Sequence, residues 1–449
     1  MKRLAALLSA AALIFSVPLT VCTANPLTNI LSQPLSLVDA VNLALARNPA
    51  VLKSQKELQA SHGIAVQTRA IVIPTVKLTG QYQIEDRALA ESFSPLRQDQ
   101  NWGLGLRLVQ SVYEGGRMKS ALRSAKLTMQ QAELRHQDVL LETVLLTETA
   151  YFDILLAAQQ IDVQEASIKL LEQELSNTKR RFEAGVVPQF NVLRAEVEVA
   201  NTRPRLIRAR NSHRIAKNNL ANVLGYDLPS TVWEDIPLNL TTALEETPYK
   251  INLEEALNQA LTNRTDLAAN HKALLAREED VKFAKAANIP SLQGFVGYDM
   301  RNSILTDDLS VEKHGWVAGA QLSWDIFDGL RTQGRVEEAR ARVDQAEIAI
   351  DELRRRIELD VRTAFSNFSE AREVLESNRK VLEQAAEALR LAASRYGAGT
   401  GIQLDVLSAQ TALTDARSTQ VQALRDYQVA VARFERVVGV RSPGPVSKR

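Results

Sequence analysis

Five histidines, His62, His136, His213, His271 and His314, are the side chains best suited to hold a metal or to move a proton near neutral pH. They are scattered along the chain. No two flank a glutamate at helical spacing, and the carboxylates near them follow a surface heptad pattern with no acidic ligand cluster. Gly103-x-Gly105 is a fragment of a phosphate-cradling loop, but it lies inside an alternating strand and lacks the strand-to-helix setting that chemistry requires. Cys22 is the only cysteine. Catalytic residues, cofactor and metal sites are therefore all expected to be absent, and the chain does not read as an enzyme. Lys plus Arg number 54 against 53 Asp plus Glu, which gives no basic excess for nucleic acid.

Lys2 and Arg3 precede an apolar run from Leu4 to about Val17, too short to span a bilayer and followed by small residues. Residues 1–24 read as a secretory signal cleaved after Ala24. Lipidation of Cys22 is the alternative, disfavoured by the bulky Val21 before it. Cleavage removes the only thiol, and loss of Lys2 and Arg3 takes the net charge from +1 to −1. No later stretch holds eighteen consecutive apolar residues, so a helical membrane protein is excluded. An exported chain of this kind is either soluble or a β-barrel.

An internal repeat organises the remainder. Leu35 to Val41 recurs as Ile251 to Leu257 and Ile73-Pro74 as Ile289-Pro290, at an offset of 216. Further on the offset is 214: Trp102 matches Trp316, Tyr113-Glu114-Gly115 matches Phe327-Asp328-Gly329, Arg181-Phe182 with Gly185 matches Arg395-Tyr396 with Gly399, and Leu224-Gly225 matches Val438-Gly439. The copies span residues 25–225 and 251–439, with a linker over 226–250 and a tail over 440–449. Each copy reads as helix, strand, strand, long helix, helix.

The strands, near 75–84, 101–113, 291–301 and 315–327, are where apolar periodicity changes from about 3.6 to 2. Trp102, Leu104, Leu106, Leu108 and Val112 alternate with Gly103, Gly105, Arg107 and Ser111; Trp316, Ala318, Ala320, Leu322, Trp324 and Ile326 alternate with Gly319, Gln321, Ser323 and Asp325. An apolar face ending in Trp and Tyr suits lipid. Four strands cannot close a barrel, so several chains must share one: two would give eight strands and a plugged interior, three would give twelve and a lumen. The connections Ile84 to Asp99 and Asn302 to His314 are expected to be the outward loops.

Composition, 45% hydrophobic and 24% charged but only 5% aromatic, favours long helices. From about Gly115 to Glu183 and Gly329 to Arg395 no proline interrupts the pattern, predicting helices about 100 Å long at 1.5 Å per residue. Leu37 to Ile71, Asn191 to Leu224, Leu253 to Ala287 and Leu404 to Val438 predict helices of half that length. In the second long helix the apolar steps alternate between three and four, except at Leu353, Ile357 and Val361, a stutter placed where the short helices should meet. Pro204 predicts a kink or break.

The opening pattern Leu37, Ala40, Ala44, Leu45, Asn48, the strand-to-helix junctions at Gly115 and Arg117 and at Gly329 and Arg331, and the Arg-aromatic-x-x-Gly turns resemble the TolC family of outer-membrane efflux proteins. The resemblance implies a mainly α fold with a membrane β-barrel: a homotrimer whose twelve-stranded barrel, in outer-membrane lipid, continues into a long periplasmic α-helical barrel. It further implies a passive conduit for an efflux pump or type I secretion system, working with a periplasmic adaptor and an inner-membrane transporter such as a resistance-nodulation-division or ABC pump. Arg181, Phe182, Gly185, Arg395 and Gly399 would form the adaptor-docking tip. Asp405, with Tyr396 bonding Asn191, would form the periplasmic entrance gate. Ser408 and Asn191 stand where some members carry acids, which weakens the acidic ring. The competing class is a structural periplasmic coiled-coil or adhesive protein without a lumen, which leaves the four lipid-suited strands unexplained.

Overall fold

The computed structural model describes residues 34–84, 100–228, 235–246, 248–302 and 309–440. The signal segment with Cys22, most of both outward loops and the end of the C-terminal tail lie outside the described residues. The order is α1 (Leu37–Arg47), α2 (Pro49–Arg69), β1 (Thr75–Ile84), β2 (Gln100–Glu114), α3 (Arg117–Glu183), α4 (Gln189–Val223), α5 (Leu253–Asn263), α6 (Thr265–Lys285), β3 (Ser291–Asn302), β4 (Glu312–Ser323), α7 (Arg331–Gly397) and α8 (Gln403–Val438). The second half repeats the first element for element.

One antiparallel sheet holds all four strands in the order β1-β2-β3-β4, leaving β1 and β4 as open edges. Its register lines up the apolar positions across every strand. Leu78, Leu106, Tyr298 and Trp316 form one row, and Val76, Leu108, Val296 and Ala318 another. The opposite face carries Lys77 beside Arg107 and Thr79 beside Gly105 and Asp299, with Arg107 Nη2 3.4 Å from Asp299 Oδ2. No helix covers either face: Leu78, Leu322 and Trp316 are each more than two-thirds exposed. A bulge in β2 between Ser111 and Tyr113 shifts the pleat by one, so Tyr113 pairs with Leu292 and joins the apolar face, which strict alternation would have denied it. β4 ends at Ser323, short of the expected Phe327, because its last partner is Ser291 and the preceding Pro290 has no amide to extend the ladder.

The helices lie in a single row. In the half next to the sheet its order is α2-α3-α6-α7; in the far half it is α4-α3-α8-α7. The long helices α3 and α7, 67 residues each, run through both halves, and the row is open at α2 and α4 on one flank and α7 on the other. Two expected helices are broken in the middle. Asn48 leaves the helical region (ψ 128°) because Pro49 follows it; its Nδ2 donates to Val223 O at 2.7 Å and its Oδ1 caps α2 by accepting from Ala50 N. Arg264 makes the equivalent break without a proline, its guanidinium clasped by Asp266 and Asp360. Gly225 (φ 73°) closes on the first break, where a Cβ would stand 2.5 Å from Arg47 O. Pro204, by contrast, does not break its helix: α4 is continuous from Gln189 to Val223, held on either side of the proline by Arg203 with Glu172 and Arg205 with Asp415.

Mid-height is the best-packed part of the wall. Ile357 and Val361, at the stutter, are fully buried with Ala256 and Ala260 of α5 and with Phe434 and Val438 of α8. The linker is pinned here too. Leu35 and Leu240 form a parallel bridge, and Tyr151 Oη donates to Leu35 O at 2.9 Å.

The register predicts that Leu106→Lys or Leu322→Lys, each adding charge to the apolar face, destabilises the inserted protein by about 2–4 kcal/mol near the bilayer midplane. Gln321→Lys, on the other face, should insert like the wild type in urea-titrated refolding into vesicles. Equal losses from the two classes would reverse the assignment of faces.

Candidate functional site: the helical tip

At the end far from the sheet, two hairpins join the helices. Both long helices stop by the same backbone device. Val186 N donates to Arg181 O at 2.9 Å with Gly185 at φ 72°, and Thr400 N donates to Arg395 O at 3.0 Å with Gly399 at φ 77°. Glycine is required there for the left-handed turn, and open space surrounds both positions. The turns project apolar side chains: Phe182, Val186, Phe190, Leu193, Ile402 and Leu404 are all exposed. The two hairpins touch through Arg181, whose guanidinium lies 4.4 Å from the Tyr396 ring centroid and donates to Tyr396 O at 3.4–3.5 Å.

The expected gate residues are not all brought together within one chain. Tyr396 Oη is buried and has no hydrogen-bond partner among the described residues, so the bond to Asn191 is not made inside the protomer. Asp405 stands exposed in the first turn of α8, without an ion pair among the described residues. Arg395 is likewise unpaired there.

The seams between helices differ in chemistry. Across α3 and α4 runs a ladder of surface ion pairs: Lys179 with Glu196, Glu172 with Arg203, Glu165 with Arg210. Between α7 and α8 the contact is apolar, built on Phe368, Leu375, Ala423 and Tyr427. The α3–α8 seam, joining the first repeat to the second, interleaves apolar contacts, such as Leu171 with Leu407, with polar ones. Gln403 Nε2 donates to Thr178 Oγ1 at 2.9 Å, Thr414 Oγ1 to Ser167 Oγ at 3.0 Å, Ser418 bonds Gln160, and Arg425 and Arg436 hold Asp153 and Asp138. Thr178 passes the first of these on to Glu174 at 3.3 Å. Burial raises the Glu174 carboxyl above the ordinary glutamate range, a shift moderated by the Thr178 hydrogen bond and by Arg181. None of these seam residues stood out in the sequence, although Thr178 follows Leu171 and Leu175 at heptad steps and so marks a polar group on a buried stripe.

At the other end, Gly115 (φ 59°) turns β2 into α3 where a Cβ would meet Ile289 at 2.7 Å, and Arg117 lies over the Phe283 ring at 4.5 Å. Gly329 (φ 68°) and Leu330 (φ 67°) make the matching turn into α7, where Arg331 pairs with Asp325. Among the described residues no group of three or more His, Cys, Asp or Glu is placed to hold a metal.

A sheet with one apolar face and open edges, continuous with a single-layer helical wall, defines a membrane conduit. The sequence profile of the outer membrane efflux protein family matches residues 40–226 and 256–440, one match per repeat. The chain belongs to that family, the outer-membrane channels of efflux and secretion systems, which are non-enzymatic and extend into the periplasm. It is 25% identical to protein CyaE of Bordetella pertussis over 86% of this chain and 80% of that one. Against outer membrane protein TolC of Escherichia coli the identity is 24%, over 91% and 83%. The crystal structure of the outer membrane protein VceC of Vibrio cholerae superposes with a TM-score of 0.76 at 18% identity, covering 90% of this chain and 96% of that one.

Because the Glu174 carboxyl is raised in the folded tip, the folded state binds the proton more tightly than the unfolded one. The tip therefore loses stability as pH rises from the ordinary glutamate value through the raised one. Glu174→Gln should slow hydrogen exchange at the tip at neutral pH, whereas Thr178→Val, which strands the Gln403 amide, should cost about 1–3 kcal/mol of local opening. Equal exchange in both variants would remove the relay's role.

Proposed function

We propose that three copies of this chain form a twelve-stranded barrel and a helical tunnel that carries cargo passively from an inner-membrane transporter, through a periplasmic adaptor, across the outer membrane. The observation that supports this best is the pair of unmatched flanks. The edges β1 and β4, and the row flanks α2–α4 and α7, lie on opposite sides of one curved wall, so copies placed side by side satisfy both layers at once. Lateral contact surfaces are ready on the helices: Phe190, Leu193, Val197, Ile207 and Ile215 share one face of α4, and Ile348, Leu359, Val374, Val381 and Leu391 one face of α7, all exposed in the single chain.

The exposed apolar turns around Arg181, Phe182, Gly185, Arg395 and Gly399 are the docking tip for the adaptor. A resistance-nodulation-division or ABC transporter supplies the energy, and cargo identity is set by that transporter. The entrance gate is Asp405 with Tyr396 and Asn191. Tyr396 on α7 and Asn191 on α4 stand on opposite flanks of the row, so side-by-side copies bring the two residues to one seam.

Three convergent carboxylates attract multivalent cations. In single-channel recordings Asp405→Ala should weaken block by hexamminecobalt by about tenfold, and Tyr396→Phe should raise resting conductance without changing chain count. Unchanged block and conductance in both variants would reject the gate and leave the conduit standing.

A further inference from the structure

Directly below the sheet, on its apolar side, the end of β2, the start of α3 and Val72 in the α2–β1 turn line a groove of about 550 Å³. Its floor is apolar, from Val72, Tyr113, Met118 and Leu122, and Lys119, Arg123 and Lys126 rise along one edge. The side of the wall is fixed by the β2 bulge. Tyr113 pairs with Leu292, which pairs with Leu322, so the groove opens on the face that meets lipid and not on the polar face. Ile71, Val72 and Ile73, between α2 and β1, are exposed beside it.

The cations are placed for a headgroup layer. Lys119, Arg123 and Lys126 recur at steps of four and three, so they share one helix face and span about 10 Å along the axis, enough to cross the polar headgroup region of one leaflet. The first ten residues of α3 hold four basic side chains and no acid; the matching stretch of α7 has Gln333 and Glu337 where α3 has Lys119 and Arg123. Acidic neighbours do not neutralise the row. Glu279 is 3.8 Å from Arg123 but already holds Lys282 at 2.7 Å, and Asp280 is engaged by Ser124 and Arg277. Glu114 lines the groove at its upper end, and Lys119 and Lys126 have no ion pair among the described residues. Most of the groove's lining belongs to α3, which lies one helix in from the α2 flank of the row.

We infer that this groove binds an anionic glycerophospholipid of the periplasmic leaflet, its acyl chain against Val72, Tyr113 and Leu122 and its phosphate against Lys119, Arg123 and Lys126. Long basic side chains lay their methylene stems on such a floor and hold their charge at the headgroups. One site per chain would tie the wall to the inner surface of the membrane at a fixed depth. The inference rests on the outer-membrane placement, and chain count and lipid count are read separately in its test.

The delipidated, detergent-solubilised full chain would be titrated with dioleoyl phosphatidylglycerol, with dioleoyl phosphatidylcholine and with inorganic phosphate, and bound lipid read by native mass spectrometry. The wild type should retain phosphatidylglycerol at least about tenfold better than phosphatidylcholine, from roughly fivefold per basic residue before screening. K119Q/R123Q/K126Q should bring that ratio within about twofold with chain count unchanged, while K53Q/K56Q, lower on α2, should leave it intact. Equal retention of both lipids by the wild type, or a preference that survives in the triple variant, would overturn the site. Displacement of the lipid by millimolar phosphate would make it a free-anion site and overturn the lipid assignment.

Discussion

Unpaired backbone in lipid is the constraint from which this structure follows. A four-stranded antiparallel sheet leaves a row of amides and carbonyls unpaired at each edge, a cost hydrocarbon makes intolerable, and closure is the only remedy that also keeps an apolar face outward. One chain cannot close. The four strands therefore dictate assembly, and α2, α3, α6 and α7, each continuing one strand, carry the same circumference into a helical wall one layer thick. The bulge that returns Tyr113 to the apolar face and the left-handed turns at Gly115 and Gly329 are the local devices that join strand to helix without breaking that continuity.

Below the membrane the wall is held by seams of unequal chemistry. Apolar packing between α7 and α8 around Phe368 and Tyr427 excludes water and resists separation. The seam between α3 and α8 interleaves side-chain hydrogen bonds and ion pairs with apolar contacts around Leu171 and Leu407. The second hairpin is thus held by an apolar contact, whereas the two repeats are joined by a mixed one. Mid-height, Ile357 and Val361 are fully enclosed between α5 and α8.

Much of this was legible in the sequence because periodicity and duplication are local signals. The offsets of 216 and 214 located both repeats, and alternation around Leu106 and Leu322 located the faces of the sheet. The break at Asn48 carries a local mark, Pro49, which disfavours the helical region for the residue before it, although the apolar pattern runs through it. Its counterpart at Arg264 carries no such mark, because it depends on Asp360, 96 residues away. Pro204 differs in the other direction: α4 stays helical through it, with Val199 and Thr202 buried in the preceding turns. The polar contacts of the α3–α8 seam were invisible for the same reason as the Arg264 break. Gln403 and Thr178 are 225 residues apart, and only the fold shows that they meet.

The most direct test of the whole account is imaging of the detergent-solubilised particle with its mass measured in parallel. Three chains around a threefold axis should appear as a hollow cylinder about 130 Å long, the sum of a 67-residue helix and the apolar band of the barrel. A stable single chain, or a particle without an axial lumen, would contradict it.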